Sequence, residues 1–117
     1  MNLNGILKEL LGQSGLPVEQ DEYAGHSKKY IIFVYEDETP AAHGDNRVLA
    51  DTAYMQIQLV TPKNIDYFPL KEQIRNLLEG AGFIVTSTRS FLGSAITGTE
   101  KVRQTIFHTE YTQGRRS

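Results

Sequence analysis

The sequence predicts an α+β domain: a mainly antiparallel sheet of about four to five strands with two helices packed on one face. Three observations lead there. The hydrophobic pattern of residues 53–89 changes period from two to about 3.6 and back, which reads as strand, helix, strand. A leucine-rich helical pattern stands alone at the N-terminus. The remaining apolar runs alternate with turn residues and have no helices between them, so most strand neighbours should run antiparallel. The chain has 117 residues, enough for one core and too few for two, so residues 1–117 form a single domain.

The central block justifies itself residue by residue. Met55, Ile57 and Leu59 alternate with Tyr54, Gln56 and Gln58, the signature of a half-buried strand over Tyr54–Thr61. Tyr67, Leu70, Ile74, Leu77, Leu78 and Ala81 then fall at helical spacing, with Lys71, Glu72, Gln73, Arg75, Asn76 and Glu79 largely opposite. The predicted helix runs Pro69–Glu79. Pro69 suits its first turn, Asp66 favours its positive end, and Gly80 and Gly82 stop it. A strand over Phe83–Arg89 follows.

At the N-terminus Leu3, Ile6, Leu7, Leu10 and Leu11 make one stripe of a helix over Asn2–Gly12, which Asn2 caps and Gly12 and Gly15 end. Leu16–Tyr23 reads as a strand in which Pro17 marks an edge or an irregular start, and Gly25-His26-Ser27 as a turn. Tyr30–Tyr35 is apolar without a break, which suits a strand covered on both faces, the second cover coming from a neighbouring subunit. Glu36–Arg47 holds Pro40 and Gly44 and lacks periodicity, so it reads as a polar loop. Val48–Asp51 is either a short strand or more loop. Phe91–Glu100 reads as a long flexible arm with apolar residues Phe91, Leu92 and Ile96. Lys101–Tyr111 is the last strand, and residues from 110 onward form a flexible tail.

Composition narrows the function classes. A formal net charge of -2 argues against a dominant basic nucleic-acid surface. Without cysteine there is no disulfide framework and no thiolate metal site. No apolar run approaches the ~20 residues that span a bilayer, and the N-terminus has no signal-peptide pattern, so the expected site of synthesis and action is the cytoplasm. No nucleophile elbow, phosphate-binding loop or zinc-protease motif occurs. His43 and Asp45 are spaced as two metal ligands or an acid/base pair, but a pair is not a positioned constellation. Glu36, Asp37 and Glu38 invite a metal reading, yet adjacent residues of an extended chain point to opposite faces. The expectation is no catalytic residue, no metal and no cofactor. Loops on a rigid scaffold concentrate binding residues. The expected oligomer and partner interface is therefore Phe91, Leu92, Ile96, Glu36, Asp37, Glu38 and Tyr54.

One further pattern spans Leu3 to Tyr111. The leucine helix leads through GLPV (residues 15–18) towards Tyr23. Then come YIIFVY (30–35), VLAD (48–51), YMQIQLVT (54–61), a helix beginning near Pro69, GFIV (82–85) and IFHTEY (106–111). This order resembles the tail terminator, or tail-to-head joining, proteins of long, non-contractile-tailed phages and their prophages. The resemblance rests on element order and short apolar motifs, with no catalytic signature. It implies a structural protein, not an enzyme, that forms a hexameric ring at the head-proximal end of the tail tube. Its implied partners are further copies of itself, the major tail tube protein and a head-completion or connector protein. DNA would pass through the ring without sequence-specific contact. The implied location is the host cytoplasm during assembly, then the virion neck. Two other readings stand beside it: a head-completion or connector protein, and a small ligand-binding or enzymatic domain using His43 and Asp45.

Overall fold

The computed structural model describes residues 3–44, 47–94 and 101–114. The elements run α1 (Leu3–Gly12), β1 (Val18–Gln20), β2 (Tyr30–Gly44), β3 (Arg47–Pro62), α2 (Phe68–Gly80), β4 (Ile84–Ser94) and β5 (Lys101–Gly114). The strands form one five-stranded sheet in the order β1-β2-β3-β5-β4. The three-residue β1 runs parallel to β2, and every other neighbour is antiparallel. The fold is α+β, as the sequence predicts. The long hairpins β2–β3 and β4–β5 stretch the chain to 55 × 24 × 22 Å.

Both helices lie on one face. From β3, Ala53, Met55, Ile57 and Leu59 point into the core, joined by Ile31 and Phe33 of β2 and Phe107 of β5. The helices answer with Leu3, Leu7 and Leu11 from α1 and Ile74 and Leu78 from α2. The 3–7–11 spacing puts those leucines one turn apart on a single stripe. In α2, Leu70 only packs against the edge of the core and Leu77 is half-buried, so Ile74 and Leu78 are its anchors. Pro69 sits in the first turn, Asp66 accepts a hydrogen bond from the Phe68 amide at 3.1 Å, and Gly82 takes φ +94 just beyond the end. Phe83 then drops into the core and stacks on Tyr111 at 4.4 Å. A polar chain ties α1 to the sheet. Tyr35 donates to Asn4 Oδ1 at 2.5 Å, and Asn4 Nδ2 donates to Gln20 Oε1 at 2.8 Å. Burial, and then the nearby Glu38 charge, raises the Tyr35 phenol pKa, which keeps the proton that this bond needs.

Four expectations are corrected. Glu36–Gly44 is strand, not loop: it continues β2 and pairs with β3 as far as Gly44 opposite Arg47. The signal was hidden because the pairing slips at Glu36 and again near Ala42, and each bulge breaks the period-two pattern. Pro40 is tolerated because β1 covers β2 only along Ile31–Phe33, so from there on β2 is an edge strand. Phe91–Ser94 likewise belongs to β4, and Ile96 lies outside the described residues. The expected tail from residue 110 is paired strand through Gly114, with Thr52 and Thr112 joined hydroxyl to hydroxyl at 2.7 Å. The strand expected over Leu16–Tyr23 shrinks to β1, which Asp21 ends with φ 66.

Truncating the α2 anchors tests this packing. Ile74→Ala or Leu78→Ala should each cost ~2–5 kcal/mol, and Leu77→Ala clearly less. Urea unfolding reads the difference. Equal costs at all three positions would put the wrong side of α2 on the sheet.

Candidate functional site

With the helices gathered on one face, no described helix covers the other face of the sheet, where only the segment before β2 lies against Tyr30. Alternation from the core positions places Tyr54, Gln56, Gln58 and Val60 of β3 there, between Tyr30, Ile32 and Val34 of β2 and Gln104, Ile106 and His108 of β5. Ile32 and Val60 are buried at 6% and 4% exposure with no helix over them. The run Tyr30–Tyr35 is therefore apolar for two reasons: one set of side chains meets the helices and the other forms a small apolar strip on the open face. Gln58 donates to Gln56 beside that strip.

The acidic run sits at the far side of this face. The bulge leaves Glu36 without a cross-strand partner and resets the alternation. Glu36 Oε1 reaches His108 Nδ1 at 3.1 Å on the open face. Asp37 pairs with Tyr54, which shares that face, and its carboxylate accepts from the Glu38 amide at 2.8 Å. Glu38 pairs with Ala53 and lies on the helix side, beside Tyr35. Two neighbouring acids thus share one face, which simple alternation forbids and a bulge allows.

The expected interface residues divide accordingly. Tyr54, Glu36, Asp37 and Phe91 come to the open face, while Glu38 and Leu92 point the other way. Phe91 and Leu92, adjacent on β4, are 43% and 42% exposed, and so serve two surfaces instead of one patch. With Ile84, 58% exposed, they make β4 an edge strand that carries large apolar side chains and one charge, Arg89. The other edge is different: β2 displays Glu36, Asp37, Glu38, Pro40 and bulges, the devices that discourage strand addition. No sequence rule pointed to Ile84, because its place on an edge follows from the strand order alone. His43 lies on β2 opposite Val48, and Asp45 is outside the described residues. Among the described residues no three His, Cys, Asp or Glu side chains gather as a metal site.

A second feature was missed entirely. At the end of the sheet where β2 begins, the connection before β2, the turn after β3 and the start of β5 form a cleft of about 810 Å³. Tyr23 and Tyr30 form part of its wall, stacked with ring centroids 4.4 Å apart. Burial, and then the neighbouring Tyr23, raises the Tyr30 phenol pKa. The Tyr23 hydroxyl accepts from the Ser27 amide at 2.9 Å, closing a small ring of chain over Gly25. A Cβ at Gly25 would meet the outer end of the Tyr23 ring, so a larger residue there would displace that ring from its stack.

No family model and no curated protein matches the chain. A solved structure whose designation says nothing of function superposes with a TM-score of 0.48 at 16% identity, over 95% of this chain and 90% of that one. At that distance the likeness carries no argument about what the chain does.

If Phe91 acts at a surface and not in the core, Phe91→Asp should cost no more than about 1–1.5 kcal/mol, the loss expected from strand propensity and partial burial. Phe107→Ala, deep in the core, should cost ~3–5 kcal/mol in the same urea titration. A loss at Phe91 comparable to that at Phe107 would make Phe91 a core residue.

Proposed function

We propose that the chain is a structural assembly protein of the phage tail-terminator kind, capping the head-proximal end of a tail tube as a hexameric ring and joining it to the head. It acts through surfaces and carries out no reaction. The observation that supports this best is the division of the sheet. One face is closed by α1 and α2, and the other presents Tyr54, Glu36, Asp37 and Phe91 beside an exposed apolar edge on β4. A tyrosine and apolar side chains among charges are the composition of a contact surface. Rings close by heterologous contact, one patch meeting a different patch on the next copy. The two unlike edges of this sheet suit that requirement, because an edge armed with acids disfavours pairing with itself. The element order quoted above supports the same reading independently. The partners in this reading are further copies, the tube protein and a head-completion or connector protein, with DNA passing through and no cofactor.

The test is assembly in vitro. The protein added to polymerising tail tube protein should end tube growth at a defined length, and light scattering should give the mass of six copies on the isolated cap. A Phe91→Asp, Tyr54→Ala variant that still folds should leave tubes overlong and unjoined to heads. Tubes ended at normal length by that variant would move the interface elsewhere, and tubes indifferent to the wild-type protein would end the reading.

A further inference from the structure

The chain carries a formal net charge of -2, yet the cleft between the 23–30 segment, the β3–α2 turn and the start of β5 is lined by Lys28, Lys63, Lys101 and His26 and, among the described residues, by no carboxylate. Three separate segments deliver the lysines, so their convergence is a product of the fold and not of a basic run. Among the described residues the carboxylate partners lie elsewhere. Lys8 meets Glu19, Arg75 meets Glu72 and His108 meets Glu36, and none of the cleft lysines takes part. Three ammonium groups around one concavity repel one another unless an anion joins them, and the concave wall lowers the screening that solvent provides.

The wall is also constructed. Tyr23 is fixed by its stack on Tyr30 and by the Ser27 amide, and Ser27 in turn donates to the Lys29 carbonyl at 2.7 Å. These bonds hold a segment without regular structure in one shape and set Lys28 at the rim. About 810 Å³ is the size range of sites for small organic ligands. Lysine is a compact point-charge donor that suits phosphate oxygens.

We propose that this cleft is a binding site for phosphate groups, with Lys28, Lys63 and Lys101 as the charge-neutralising residues and the Tyr23–Tyr30 stack as its wall. The phosphates belong either to a small polyphosphate or to a nucleic-acid backbone. The site is independent of the tail-assembly reading.

The experiment titrates the full-length protein at low ionic strength with tripolyphosphate and, separately, with a short DNA duplex. Wild-type protein should bind at least one of them saturably, with affinity falling as salt rises. The triple variant Lys28→Ala, Lys63→Ala, Lys101→Ala should lose about tenfold or more, as expected for charge-assisted contacts. A control with the same change in net charge, Lys8→Ala, Lys71→Ala, Arg75→Ala, should stay near wild type. Circular dichroism confirms that both fold. Tighter cleft-dependent binding of tripolyphosphate than of the duplex at the same phosphate concentration assigns the site to small polyphosphates, and the reverse order assigns it to nucleic acid. Equal losses in the two triple variants, or no saturable binding of either probe, overturns the proposal.

Discussion

Strand β3 is bonded on both sides, by β2 and by β5, and its inward residues Ala53, Met55, Ile57, Leu59 and Thr61 are all buried. That alternation is the constraint on which the rest depends. A slip of one residue would turn Tyr54, Gln56 and Gln58 towards the helices and the apolar set towards water. Each of the displaced apolar side chains would forfeit about 1.5–3 kcal/mol of burial. With β3 fixed, the inward stripe of α1 and the Ile74–Leu78 anchors of α2 have one surface to cover. The opposite face is left open by the same decision. The division between a helix-covered face and an open face is thus made by one strand's period.

The ends of the molecule differ for reasons of chain path. Where β2 runs on past β1, it becomes an edge, and the residues there are acids, a proline and bulges. At the other end the chain turns between β3 and α2, and again before β2, and these turns carry lysines. A mildly acidic protein thereby presents acids midway along the β2 edge and lysines around a cleft at one end. Segregation of this kind orients approach to charged partners more than it adds to stability.

Much of the fold was legible because it rests on periodicity. Leu3, Leu7 and Leu11 at helical spacing, Met55 to Leu59 at strand spacing, and Gly80 and Gly82 after Leu78 each carry a local signal with one physical meaning. What was not legible depends on neighbours. The bulge at Glu36 erased the alternation that would have marked Glu36–Gly44 as strand, and Pro40 looked like a breaker because its edge position follows from β1 being so short. Tyr54 and Phe91 were expected at an interface and do reach the open face, whereas Leu92 and Glu38 turn away because each sits one residue from a partner on the other side. The cleft left no trace in sequence, since Lys28, Lys63 and Lys101 are far apart along the chain and meet only through strand order.

Hydrogen exchange on the free protein, and again on the protein bound to tail tubes, tests the central division most directly. Amides of β3 from Ala53 to Thr61 should be among the slowest in both states, because they are bonded on both sides under the helices. Protection gained on assembly should fall on β4, Ile84–Ser94, and on the Glu36–Asp37 bulge, while α1 and α2 change little. Gains confined to α1 and α2, with β4 unaltered, would contradict the account and make the helical face the contact surface.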